Sequence, residues 1–143
     1  MVHKMPEEKP VKVRAPGGAL LDGTFLLWEE SPDDPASVRL GLSFNGGTVF
    51  ADSDEGFFDA LSLIRRAIEP DGYRLVCLGA SAGVFPSGMS RGMGTGDMAY
   101  RLEDGKPALT KDLVSIFDAD ESVVPATVEE QESYFNKWIE SLR

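Results

Sequence analysis

One cysteine and one histidine are all that this chain of 143 residues offers of either type. A lone Cys77 rules out an intrachain disulfide, so the core must close without one, as is usual in a reducing compartment. His3 lies at the extreme N-terminal end, and a Ser/His/Asp or Cys/His site would need that end to fold back. Without a Cys/His cluster there is nothing for zinc to bind, and no cofactor or metal is expected. Basic residues are also scarce: 14 Lys and Arg face 24 Asp and Glu, a formal charge of −10. Phosphate binding needs clustered Lys and Arg, so nucleic acid and anionic membrane are excluded as main ligands. Long hydrophobic runs are missing too. Nothing approaches the ~20 apolar residues of a membrane span, and Met1–Pro10 has no signal-like apolar core. The expectation is a soluble cytoplasmic protein.

What is present is an ordinary globular balance, 42% hydrophobic and 27% charged. A chain of this length buries roughly 70% of the surface its unfolded form exposes, enough for a single core. Residues 1–10, charged and bracketed by Pro6 and Pro10, read as a loose tail, and residues 11–143 as one domain.

Val11–Ala15 is a first strand. Asp22-Gly23, between Ala19–Leu21 and Thr24–Glu30, predicts a tight hairpin. Val38, Leu40, Leu42 and Phe44 alternate with Arg39, Gly41 and Ser43, a period of two that puts the apolar set on one face. Asn45-Gly46 then turns the chain into Thr48–Ala51. Asp52 and Glu55 fit a capping box for a helix whose Phe57, Leu61, Ile64 and Ile68 form one stripe. Arg65 and Arg66 sit where the helix dipole favours cations, and Pro70-Asp71-Gly72 ends it. Tyr73–Ala80 is apolar enough for a central strand covered on both sides. Asp97–Glu103 reads as strand, Asp104-Gly105 as turn, and Pro107–Leu109 as a return strand. Thr110–Phe117 fits a short helix or a strand. Thr127-Val128-Glu129-Glu130 is a capping box opening a last helix, with Val128, Phe135, Trp138, Ile139 and Leu142 on one face. The sum is α+β: an antiparallel or mixed sheet of about six strands with two main helices packed on it.

Gly83–Gly96 stands apart. It holds five of the 15 glycines, with Met89 and Met93, and Arg91 is its only charge. Gly83 to Ser90 has the spacing of a phosphate loop, but Met89 stands where the lysine belongs, and no helix is expected to follow. Gly94-Thr95-Gly96-Asp97-Met98-Ala99 has dinucleotide-fingerprint spacing, but Met98–Leu102 reads as strand where a helix is required. Two readings remain. One is a long structural connection with methionines against the sheet. The other is a binding loop, with Ser87, Met89, Ser90, Arg91, Met93 and Thr95 as candidate contacts and Arg91 able to hold a carboxylate or phosphate.

Acidic groups are the remaining candidates. Asp52-Ser53-Asp54-Glu55 starts like a calcium loop, but the spacing breaks after Asp54, and helix capping accounts for it. Asp118, Asp120 and Glu121 form a candidate acidic surface, read as solvated side chains rather than a cation site. From Asp112 to Arg143, eight acids face only Lys137 and Arg143. Such a surface would speed encounter with a basic protein. Cys77, inside an apolar run, reads as a small core residue.

The segment from Phe85 to Tyr100, Phe-Pro-Ser-Gly-Met-Ser-Arg-Gly-Met-Gly-Thr-Gly-Asp-Met-Ala-Tyr, resembles a group of small uncharacterised bacterial proteins. They share the pattern Pro-Ser-Gly-Met-x-Arg-x-Met-x-x-Gly and a C-terminal Thr-Val-x-Glu-Gln helix, here Thr127 to Gln131. The resemblance covers about the last half of the chain and implies no catalytic residue. In size, acidity and one-domain build the chain is similar to immunity proteins of bacterial toxin systems, an analogy of type. The leading expectation is a non-catalytic domain that binds another protein, basic in charge. The alternatives are a small-ligand or anion site, or an enzyme, built on the glycine loop, and a self-associating protein whose loop serves a homodimer.

Overall fold

The structure, a computed structural model, describes residues 5–88 and 94–143. Its most regular part is built on the alternation in β3 (Val38–Phe44), where Val38, Leu40 and Leu42 are buried. Asn45 and Gly46, both at positive φ, turn the chain tightly into β4 (Gly47–Ser53), as the Asn-Gly pair predicts. β1 (Glu7–Arg14) and β2 (Leu20–Trp28) complete an antiparallel meander. With β5 (Arg74–Val76) they form a five-stranded sheet in the order β4-β3-β2-β1-β5.

Two expectations change here. β1 starts at Glu7, inside the expected tail, because Glu7–Pro10 pairs with Thr24–Leu27. The hairpin turn lies at Ala15–Ala19, not at Asp22-Gly23. The Ala15 amide donates to the Ala19 carbonyl at 2.8 Å, and Gly18 takes the positive φ the turn needs. Asp22 instead sits in the ladder opposite Lys12 and pairs with it. Gly23 faces the core, where a Cβ would lie 3.3 Å from Val13 and from the Ser43 carbonyl. Its glycine serves close strand packing rather than turning.

α1 (Phe57–Ile68) buries the expected stripe, Phe57, Leu61, Ile64 and Ile68, against the inner face of this sheet. The apolar run after it is a strand only at Arg74–Val76, and an edge strand paired with β1 rather than a central one. It breaks at Leu78–Ala80, a 3-10 turn, because the Leu78 and Gly79 amides donate to the carbonyls of Asp118 (2.8 Å) and Ile116 (2.9 Å). The run is apolar because α1 and the following strands cover it: Leu75, Cys77, Leu78 and Ala80 are all buried.

Those following strands form a second antiparallel sheet, β6 (Val84–Phe85), β7 (Met98–Arg101) and β8 (Leu113–Ser115), in that order. The fold is therefore α+β with sheets of five and three strands, in place of one sheet of about six. Thr110–Phe117 divides into a 3-10 turn (Thr110–Asp112) and β8. The partner of β7 is β8, not Pro107–Leu109, since Glu103 and Lys106 make only a tight turn. Phe117 joins the layers, packing edge-on against Phe25 at 5.0 Å and Phe57 at 5.6 Å.

α2 (Val128–Ser141) opens with the expected capping box: the Glu130 amide donates to Thr127 Oγ1 and the Thr127 amide to Glu130 Oε1. Phe135 stacks on Phe85 at 4.3 Å, and Trp138 donates to the carbonyls of Glu103 and Lys106. Leu142, expected on the packed face, is exposed.

Candidate functional site

Met89, Ser90, Arg91 and Met93, the centre of the candidate loop, lie outside the described residues. The ends of the loop are placed. Pro86 is buried, Ser87 half-buried and Gly88 exposed before it, and Thr95 is half-buried after it. The return end is fastened to the start of α1. The Phe57 amide donates to the Thr95 carbonyl at 2.8 Å and the Phe58 amide to the Gly96 carbonyl at 3.1 Å. Gly56, at φ 111°, lets this contact form, since a Cβ there would stand 2.7 Å from the Thr95 oxygen. Backbone carbonyls thus satisfy two helix donors that an anion would otherwise use.

That arrangement displaces the expected Asp52–Glu55 box. Asp52 belongs to β4, accepts from Arg39 Nε at 2.7 Å and from the Ser31 hydroxyl at 2.7 Å, and is held below the usual carboxylate range chiefly by Arg39. Ser53 takes the local role, accepting from the Glu55 amide and donating to Asp59.

Of the acidic candidates, Asp118, Asp120 and Glu121 are all exposed on the connection after β8. Asp120 accepts from Ser122 and from Arg101 of β7, and these bonds lower its carboxyl to about 2. Asp118 and Asp120 line an open groove of about 530 Å³. Leu78, Met98, Leu113 and Val114 give it apolar lining, and Arg101 and Ser115 line it as well. The groove thus joins two acids to Met98, just beyond the glycine stretch. It does not include Glu121, Ser87 or Thr95. Arg101 was not singled out from sequence, although a cation inside Met98-Ala99-Tyr100-Arg101-Leu102 was the available signal.

A separate polar cluster is buried. Arg65, 1% exposed, points inward from α1. Its Nη1 donates to Gln131 Oε1 at 2.6 Å and its Nη2 to the Ala126 carbonyl at 2.8 Å. Gln131 Nε2 in turn donates to the carbonyls of Gly79, Ser81 and Val84. Glu69 stands 3.7 Å from Arg65 Nε, which has no hydrogen-bond partner among the described residues, and accepts from the Val128 amide. Burial lowers the Arg65 pKa, and Glu69 opposes that shift. The sequence sets Arg65 near the C-terminal end of the helix, where the dipole favours cations. Its spacing of four from Leu61 and three to Ile68 puts it on the apolar stripe, which was the missed signal. Cys77 is fully buried, and its thiol is pushed up to about 11 by that burial, which suits a core residue rather than a nucleophile.

Among the described residues no group of three or more His, Cys, Asp or Glu side chains could hold a metal ion, and no helix is long and apolar enough to cross a membrane. No family model and no curated protein matches the chain.

Proposed function

We propose that this is a non-catalytic, acidic protein-binding domain of bacterial type that engages a basic partner, in the manner of an immunity-like inhibitor. The observation that carries the reading is the groove beside β7 and β8. A mixed lining that sets Asp118 and Asp120 beside Leu78, Met98, Leu113 and Val114 suits a partner surface that presents a basic side chain beside an apolar one. Arg101 holds Asp120 in place and leaves Asp118 and Glu121, which make no ion pair among the described residues, to meet a cation. The lone buried Cys77 fits a cytoplasmic setting. The small-ligand alternative is less well supported, because the loop's Thr95 and Gly96 carbonyls occupy the first amides of α1.

The test is co-purification from the host, identification of the partner, and hydrogen exchange on the purified complex. Amides of Met98–Arg101 and of residues 113–121 should be protected on binding. Protection confined to other segments would remove the groove from the interface.

A further inference from the structure

The edges of the two sheets are not alike. β5 closes one edge of the larger sheet with three residues, and β6 and β8 bound the smaller one with two and three. β4, the remaining edge, has seven residues and pairs with β3 without a bulge, from Val38↔Ser53 to Phe44↔Gly47. Short strands, lysine, proline and bulges are what keep an edge from recruiting another strand. Gly47-Thr48-Val49-Phe50-Ala51-Asp52-Ser53 has none of them.

The two-residue turn at Asn45-Gly46 fixes which backbone groups face outward. Gly47, Val49, Ala51 and Ser53 turn their amides and carbonyls to β3, so Thr48, Phe50 and Asp52 turn theirs away. These three make no backbone hydrogen bond outside that ladder among the described residues. On the solvent face Phe50 is 54% exposed. Its ring lies across Gly41, where a Cβ would stand 3.0 Å from it, and beside Trp28, 6.0 Å between centroids. Asp52 is ion-paired with Arg39, which also holds Asp33. On a molecule of charge −10, this edge therefore presents an aromatic ring beside only the single negative charge that two carboxylates leave on one guanidinium.

We infer that β4 pairs antiparallel with β4 of a second copy of this chain, joining two five-stranded sheets across a two-fold axis at Phe50. The strand is complementary to itself in that register. Thr48 falls opposite the second copy's Asp52, hydroxyl to carboxylate. Phe50 meets its own counterpart between the two Trp28 rings, and Val49 meets Ala51 on the core side. Sliding the pairing by two residues sets Phe50 against Asp52 in one direction and against Thr48 in the other, and in both it separates Thr48 from Asp52, so the register is selective. Asp54 and Glu55, the exposed acids that follow the strand, fall at opposite ends of the paired strands, away from their counterparts.

Sedimentation velocity on the full chain, from low to high micromolar concentration, tests this. The wild type should reach twice the 15.5 kDa chain mass. Phe50→Lys sets like charges against each other at the axis, and Thr48→Pro removes an outward amide that the monomer does not use. Both variants should sediment as monomers with wild-type circular dichroism. In the wild type, the Phe50 amide should exchange about tenfold more slowly once the dimer forms. A wild type that stays monomeric, a dimer that survives both substitutions, or an assembly larger than a dimer would each overturn the inference. So would a chain that captures only a foreign peptide strand.

Discussion

The five-stranded sheet and the region beyond Leu78 are held together by different means. In the first, long strands share a continuous ladder, and period-two apolar residues such as Phe25, Leu40 and Leu42 are fully buried. In the second, strands of two to four residues leave backbone carbonyls over, and single side chains take them: Arg65 and Gln131 inside, Trp138 further out. A periodic core spreads its stability over many interchangeable contacts. A buried polar cluster concentrates it in a few irreplaceable ones, since each lost partner strands a buried group.

Substituting within each region is the sharpest way to break that contrast. Arg65→Met should cost about 3–5 kcal/mol, because it leaves Glu69, Gln131 and the Ala126 carbonyl without their cation. Even Arg65→Lys should fail to restore stability, since an ammonium cannot reproduce the guanidinium fork. Leu42→Met, the matching conservative change in the sheet, should cost less than about 1.5 kcal/mol. Urea unfolding measures all three, and equal losses for Arg65→Lys and Leu42→Met would erase the distinction.

Thr127→Ala should have an intermediate effect, about 1 kcal/mol, through loss of the α2 cap. Its pH dependence has a definite sign. The Thr127 amide and hydroxyl hold Glu130 below its ordinary 4.5, so that contribution is present above pH 4.5 and lost as pH falls through the lowered value. The residue 127 amide still bonds Glu130 in the variant, so the gap between the two should narrow on acidification only by the hydroxyl's share, as read from paired urea titrations. Smallest of all, Arg101→Ala should leave stability within the scatter of measurement. Its bond to Asp120 is exposed and salt-screened, although the groove lining changes.

The same contrast explains what could be read from sequence. The β3–β4 hairpin, the α1 stripe and the α2 capping box were legible because each is fixed by period or by residues three or four apart. Asp22-Gly23 misled because turn chemistry is local, while Pro16-Gly17-Gly18 and the apolar register of β1 against β2 settle where the chain turns. Asp52 resembled a helix cap, but its partner Arg39 stands thirteen positions earlier and across a strand. Gln131 reaches back to Gly79 and Val84; its spacing of three from Val128 and four to Phe135 sets it on the apolar face, but spacing does not show which carbonyls it serves. Of the candidate site, the groove brings Asp118 and Asp120 together, and Arg101 joins them only through strand pairing. The core of the glycine stretch lies outside the described residues.

The functional claim rests on the second region, so the most direct test sets its charges against those of the first. Stopped-flow association with the identified partner would compare wild type with two charge reversals. One is Asp118→Lys with Glu121→Lys beside the groove; the other is Glu7→Lys with Glu8→Lys on β1. The groove reversal should slow association about tenfold or more at low salt and flatten its salt dependence, while the β1 reversal changes it little. Equal slowing by both, or none by either, would contradict the assignment of the binding surface to the groove.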